Sequence, residues 1–112
     1  MKKNLVMLSV VILIIAIILL ITYLKPDNDT PTEAIDCIAS QSELYVLKTC
    51  GHCATQKLIL KEHLDKFNVI ECSENRDLCK EKDITGVPTW IINGEKYSGK
   101  KSLKELKTLT EC

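Results

Sequence analysis

The sequence predicts an α/β fold, a mixed β-sheet flanked by helices, preceded by one N-terminal transmembrane helix. Three observations predict it. Residues 5–24 run without a charge. Beyond them, β-branched and aromatic runs alternate with amphipathic stretches in the order helix, strand, helix, strand, short helix, strand, strand, helix. Within that series, Cys50-Gly51-His52-Cys53 stands at a strand–helix junction, and Gly86-Val87-Pro88-Thr89 immediately precedes a later strand. A strand–helix–strand unit followed by a hairpin and a helix builds a mixed sheet with helices on both faces. A length of 112 residues limits the chain to one small domain.

From Leu5 to Leu24 only Ser9, Thr22 and Tyr23 are polar or amphipathic. Twenty such residues rise about 30 Å as a helix, enough for one bilayer crossing. Tyr23 sits where an interfacial aromatic anchors a helix end. The alternative is a cleaved signal peptide. Signal cores are usually about 7–15 residues long, and no small-x-small cleavage site follows this run. Lys2, Lys3 and the amino terminus precede the span, and Lys25 follows it with Asp27 and Asp29 close behind. The positive-inside rule then places residues 1–4 in the cytosol and the rest of the chain outside the cell membrane.

Residues 25–31, with prolines at 26 and 31, read as a polar linker that reaches at most about 25 Å. The domain over 32–112 is thereby held near the membrane. Thr32 to Ser40 reads as a short helix with Ala34, Ile35, Ile38 and Ala39 as its apolar members and Thr30 or Thr32 as N-cap. Leu44 to Leu47 reads as a buried strand. Residues 51–67 read as one helix, with Leu60, Leu64 and Phe67 at i, i+4 and i+7 and Lys57, Lys61, Glu62, Asp65 and Lys66 on its other faces. Asn68 suits a helix stop, and Val69 to Cys72 reads as a second strand. Arg76 to Lys82 reads as one or two helical turns and Asp83 to Pro88 as a loop. Thr89 to Ile92 and Glu95 to Ser98 form a hairpin about the tight-turn signal Asn93-Gly94. From Ser102, the spacing of Leu103, Leu106 and Leu109 gives a final amphipathic helix.

Charge narrows the partners. The basic and acidic side chains balance over the whole chain, but Lys2, Lys3 and Lys25 precede Pro26 while every acidic residue follows it. From Pro26 onward the chain is therefore near −3, which points away from nucleic acid and anionic lipid. All six cysteines, Cys37, Cys50, Cys53, Cys72, Cys79 and Cys112, lie beyond the span. An even count in an exported small domain reads as a disulfide framework. A domain of about 80 residues has a marginal core, so covalent staples help it.

Two cysteines separated by two residues at a helix start form a pair that opens and closes as a disulfide. The nucleophile in such exchange is the thiolate, and Cys50 gains thiolate character from the helix N-terminus and from His52 when protonated. A proline that follows a hydrophobic residue just before a strand is where a redox site often holds a cis peptide bond. Thiol–disulfide exchange explains both segments together. Other readings of the same thiols are half of a structural zinc site, completed by His52, Cys72 or Cys79, or a copper-binding module. Zinc leaves Val87-Pro88-Thr89 unexplained.

The chain resembles the thioredoxin-like superfamily, and in particular the thioredoxin-like domains fused to, or working beside, bacterial homologues of vitamin K epoxide reductase. The resemblance covers roughly residues 34–112. It rests on Cys50-Gly51-His52-Cys53, Gln56-Lys57, Glu71-Cys72 with Leu78-Cys79, and Gly86-Val87-Pro88-Thr89-Trp90 with Asn93-Gly94 and Gly99, and extends to Leu103 through Leu106 and the terminal cysteine. It implies Cys50 as exposed nucleophile, Cys53 as buried resolving thiol, and Pro88 as a cis-proline whose preceding Val87 backbone pairs with a bound peptide. Two positions depart from the family. Thr49 stands where a Trp is usual, and Leu44 stands where thioredoxins bury a proton-relay carboxylate, leaving Glu43 or a water to move the proton.

The Gly51-His52 dipeptide resembles that of protein disulfide isomerases, a class about 90 mV more oxidising than thioredoxin, or about 4 kcal/mol for two electrons. That favours an oxidase or isomerase over a reductase. Six cysteines allow fifteen pairings. The reading adopted is Cys50–Cys53 as the redox pair, Cys72–Cys79 as a local staple, and Cys37–Cys112 as a closure of the domain ends. A second redox role for Cys72–Cys79, and free thiols at Cys37 and Cys112, remain open at this level. The expected protein is a membrane-anchored, extracytoplasmic thiol–disulfide oxidoreductase acting on cysteines of exported proteins, without metal or organic cofactor. The resemblance implies reoxidation by a membrane partner of the vitamin K epoxide reductase type with a quinone behind it. The alternative is a tethered metal-binding or structural domain.

Overall fold

The structure, a computed structural model, describes residues 1–24 and 31–112. Most of the expected linker, residues 25–30, lies outside the described residues, as does the candidate N-cap Thr30.

Helix α1 spans Lys2–Tyr23 and has no buried residue. It begins three residues before the uncharged run and takes in Lys2 and Lys3. By length and composition it is able to cross a membrane. An all-round apolar surface of this kind has no polar face to turn toward water.

The remaining elements are α2 (Thr32–Ser40), β1 (Ser42–Val46), α3 (Gly51–Leu60), a 3₁₀ helix (Lys61–Lys66), β2 (Asn68–Glu71), α4 (Arg76–Glu81), β3 (Thr89–Ile92), β4 (Glu95–Ser98) and α5 (Leu103–Thr110). The four strands form one sheet in the order β2-β1-β3-β4. β1 pairs parallel with β2, Val46 opposite Glu71. β3 runs antiparallel to β1, Tyr45 opposite Thr89, and β4 returns antiparallel to β3. Asn93 and Gly94 both take positive φ in the tight turn between them. This register brings the C-terminal ends of β1 and β2 and the N-terminal end of β3 to one edge of the sheet.

Side-chain alternation along β1 divides the core in two. Leu44 and Val46 pack with Ile35 and Ile38 of α2, Cys53 and Leu60 of α3, Trp90 and Ile92 of β3, and Leu106 of α5. Tyr45 points the other way, into a smaller cluster with Ile70 and Cys79, against which Leu78, Ile84 and Ile91 pack. Helices therefore cover both faces, with α4 opposite the other three. Trp90 is fully buried and meets Phe67 edge to face, ring centroids 5.8 Å apart.

Several boundaries differ from the sequence reading. α3 ends at Leu60, where Lys61 takes φ +47°, and the chain continues as 3₁₀ helix rather than α-helix to residue 67. Leu64 and Phe67 still turn inward because a tighter helix keeps an i, i+3 neighbour. Asn68 is the first residue of β2 and not a helix stop. β1 starts at Ser42, whose buried hydroxyl is satisfied by donating to Ile38 O over 2.7 Å. Thr32 is the first helical residue of α2 and not its cap. Pro31 holds the N-cap position with extended backbone and no side-chain cap bond. α5 opens on a capping box, Ser102 with Glu105.

Candidate active site

Cys50 is the N-cap of α3. Its backbone is extended (φ −92°, ψ 115°), and its N–H donates to Leu47 O over 3.1 Å, closing the turn that leaves β1. Its sulfur accepts from the main-chain N–H of Cys53 over 3.2 Å, the place a serine or aspartate oxygen usually takes at a helix start. Cys50 is half-buried, whereas Cys53 is 1% exposed. Both are free thiols. One sulfur of the pair is thus open to a reactant and the other is covered.

The Val87–Pro88 peptide bond is cis. The Cys50 thiol lies 3.7 Å from Val87 O, in donating geometry. Val87 is half-buried and Pro88 buried. The loop is fixed from two sides: Thr89 Oγ1 donates to Gly86 O over 2.6 Å, and Gly99 N donates to Pro88 O over 2.8 Å. Gly99 takes φ +88°, a conformation that favours glycine.

The two thiols are driven apart in acidity. Cys50 is lowered from its ordinary value, first because the Cys53 thiol donates to its sulfur. Burial works against this, and the N–H groups of Cys53 and His52 add to it. Burial comes first in pushing Cys53 up, to about 11, followed by its bond to Cys50. The two shifts together favour charge on the half-buried sulfur and a retained proton on the buried one. The His52 imidazole is not among the groups acting on Cys50; that residue contributes through its main chain. His52 and Gly51 are exposed, and a Cβ at Gly51 would meet open space.

Proton handling differs from the expectation. Leu44 is fully buried in the cluster that holds Cys53. Glu43 is turned to the opposite face of the sheet, where it accepts from the Tyr45 hydroxyl over 2.8 Å. Glu43 therefore cannot substitute for the missing carboxylate.

Cys72 is joined to Cys79, and Cys37 to Cys112. Neither Cys72 nor Cys79 is then available to complete a zinc set with Cys50 and Cys53. Among the described residues no group of three His, Cys, Asp or Glu side chains is placed to hold a metal ion. Two features were not read from the sequence. Gln56 is fully buried one turn beyond Cys53, and the Glu71 carboxylate accepts from the main-chain N–H of Lys48 beside the active-site turn. Gln56 did carry a signal: positions 53, 56 and 60 share one helix face, so a polar side chain there must find buried partners.

No protein-family model matches the chain. It is 35% identical over 75 residues to a thioredoxin domain-containing protein 5 homolog of Drosophila melanogaster, covering 55% of this chain and 18% of that protein. It is 32% identical over 78 residues to the thiol-disulfide oxidoreductase LTO1 of Arabidopsis thaliana, covering 62% of this chain and 21% of that protein. The chain thus spans about a fifth of the length of these curated relatives. Among solved structures, oxidised thioredoxin from Plasmodium falciparum aligns at a TM-score of 0.49 and 21% identity, covering 73% of this chain and 90% of that one. The NTD_N/C domain of alkylhydroperoxide reductase AhpF from Enterococcus faecalis aligns at a TM-score of 0.49 and 24% identity, covering 70% of this chain and 44% of that one.

Proposed function

We propose that this chain, a protein of thioredoxin-like fold, is a membrane-anchored, extracytoplasmic thiol–disulfide oxidoreductase that passes its Cys50–Cys53 disulfide to cysteines of exported proteins. The observation that carries the reading is the split between the two thiols: Cys50 half-buried, capping α3 with its pKa lowered, and Cys53 buried with its pKa pushed up to about 11. The two curated relatives, a thioredoxin domain-containing protein and a thiol-disulfide oxidoreductase, support the reaction class, and α1 supports the anchor.

In the forward direction a substrate thiolate attacks the Cys50 sulfur of the oxidised pair. The Cys50–Cys53 bond breaks, Cys53 leaves as thiolate and takes up a proton, and a mixed disulfide joins substrate to Cys50. A second substrate thiolate attacks the substrate sulfur of that bond and releases Cys50 as thiolate. Two electrons pass from the substrate dithiol to the protein, and the substrate gains one disulfide. Interactions that favour the Cys50 thiolate favour it as leaving group and stabilise the reduced protein, so they make the oxidised form a stronger oxidant. This supports an oxidase or isomerase over a reductase. Val87 O and the loop around cis Pro88 line the approach to Cys50 and offer main-chain groups to an extended peptide.

Each turnover leaves the pair reduced, so the cycle needs an electron acceptor. A membrane partner of the vitamin K epoxide reductase type, passing electrons to a quinone, fits a domain tethered by residues 25–31, whose reach is at most about 25 Å.

The test uses the full chain in detergent. Oxidised protein mixed with a reduced two-cysteine peptide should transfer one disulfide per molecule. Cys50→Ser should abolish the transfer, and reduced Cys53→Ser mixed instead with the oxidised peptide should accumulate the mixed disulfide, because Cys50 attacks the peptide disulfide and no Cys53 thiol remains to release it. In intact cells a membrane-impermeant maleimide should label Cys50. Failure of the oxidised protein to exchange with the peptide would remove the enzymatic reading, and labelling only after lysis would remove the outward orientation.

A further inference from the structure

The amide of Gln56 makes three hydrogen bonds inside the core. Its Oε1 accepts from the main-chain N–H of Lys101 over 2.6 Å and from Trp90 Nε1 over 3.2 Å, and its Nε2 donates to Lys101 O over 3.0 Å. Both ends of the amide thus pair with the N–H and C=O of one residue, as a neighbouring strand would. The residue is 0% exposed, so each bond is made without competing water.

These bonds connect the two halves of the redox site. Gln56 stands on α3, one turn after Cys53. Trp90 follows Pro88 by two residues on β3. Lys101 follows Gly99 by two residues, and Gly99 N–H holds Pro88 O at 2.8 Å. One side chain therefore ties the helix carrying both thiols to the segments that fix the Val87–Pro88 loop. The Cys50 sulfur and Val87 O, 3.7 Å apart, belong to those two bodies. Nothing covalent sets their separation, since the disulfides lie elsewhere.

We propose that Gln56 is a positioning residue for the exchange reaction, locking α3 in register with the Val87–Pro88 loop so that the Cys50 sulfur faces the peptide-binding main chain. The inference rests on the reading of Cys50–Cys53 as the redox pair. Removing the amide leaves the Lys101 N–H and C=O and the Trp90 N–H without partners. Repacking to satisfy them shifts the helix against the loop.

The experiment compares wild type, Gln56→Leu, Gln56→Glu and a core control, Ile38→Val, which trims a buried side chain of α2. All are full-length chains in detergent. The readouts are the pH profile of Cys50 alkylation in the reduced folded protein and the KM and kcat for disulfide transfer to a two-cysteine peptide. Gln56→Leu should loosen the Cys50 thiol from Val87 O, a contact that favours the protonated sulfur, so alkylation at neutral pH should quicken by about threefold, as a fall of half a unit in thiol pKa does, and KM should rise. Gln56→Glu keeps both acceptor bonds when ionised and loses the donation to Lys101 O. It should therefore lose less in KM than Gln56→Leu. Ile38→Val should lower the melting temperature and leave both readouts at wild type. Gln56 variants that lose only thermal stability, with wild-type profile and KM, would overturn the inference. If Gln56→Leu does not fold, Gln56→Glu alone decides: a wild-type profile and KM overturn it. A wild type whose Cys50 exchanges with no disulfide would instead overturn the redox reading itself.

Discussion

The main-chain N–H of Lys48 donates to Glu71 Oε1 over 3.2 Å, tying the turn before Cys50 to the end of β2. The same oxygen accepts from Ser73 N over 3.3 Å and Ser73 Oγ over 2.9 Å, and the N–H of Cys72 donates to Val46 O over 2.9 Å. The Lys48 ammonium also pairs with Glu74. The stapled turn at Cys72 and the redox turn at Cys50 are therefore laced together at one edge of the sheet.

Replacing Glu71 with Ala should free the Lys48 N–H. Hydrogen exchange at that amide should accelerate by about an order of magnitude, while core amides of β1 keep their protection. Partial burial disfavours the Glu71 charge, but the bonds from Ser73 and Lys48 outweigh it, and the carboxyl is lowered from its usual value. Its stabilising contribution should be present above the unfolded carboxyl pKa and vanish as pH falls through the lower folded one. A Lys48 amide whose protection, referred to the intrinsic exchange rate at each pH, falls neither in acid nor in the variant would contradict the tie.

Reduced and oxidised protein should differ in the pH dependence of stability. Cys53, at about 11 in the fold, binds its proton more tightly than in the unfolded chain, whose thiols titrate near about 8.5. Its contribution is full below the unfolded value and is lost as pH rises toward 11. Cys50 is shifted the other way. It stabilises the fold above the unfolded value, and that contribution is lost as pH falls through its lowered one. The oxidised protein titrates neither group. Melting temperatures of the two forms between pH 5 and about 11 should therefore diverge in both windows; parallel curves would count against the split.

The two structural disulfides should contribute unequally. Cys37–Cys112 closes a loop across a separation of 75 residues and Cys72–Cys79 one across 7. The chain-entropy relation gives upper values of about 4.5 and about 2.5 kcal/mol. Urea denaturation of the paired Ser variants should rank them in that order. The Cys72→Ser, Cys79→Ser pair should also change Cys50 alkylation, since its turn carries Glu71.

Leu44→Asp would place a carboxyl in the cluster that holds Cys53. Burial without a partner should cost about 2–4 kcal/mol at neutral pH. Burial raises that carboxyl's pKa, so the loss should shrink as pH falls below the folded value. The ionised group should also accept the Cys53 proton and speed release of the mixed disulfide. Unchanged release kinetics would show that Cys53 loses its proton by another route.

The sheet and its helices were legible because their signals are local. Asn93-Gly94 announces its hairpin, and Thr89 to Ile92 is β-branched and aromatic. The pairing of Cys50 and Cys53 at the start of α3 was legible for the same reason, as a short motif at a helix start. What escaped was long-range. Leu60, Leu64 and Phe67 fit α and 3₁₀ periodicity alike, so the change at Lys61 left no trace in the pattern. The helix face of Cys53 and Leu60 marks Gln56 as buried but does not name its partners, and composition assigns Glu71 to solvent. Their partners, Lys101 and Lys48, lie 45 and 23 residues away and are main-chain groups that every sequence offers. Glu43 was misplaced because a one-residue offset on a strand moves a side chain to the other face.

The Cys37–Cys112 bond makes the folded part nearly a closed ring, entered just after Thr32 and knotted by sulfur to its last residue. Tension arriving from the N-terminal side peels at most the first turn of α2, then passes through the bridge to the tail of α5. With the load borne at Cys112, the sheet and α3 lie off that line of force. Load entering at α2 and borne at Cys112 can thus leave the sheet and α3 unstretched until the bridge is cut.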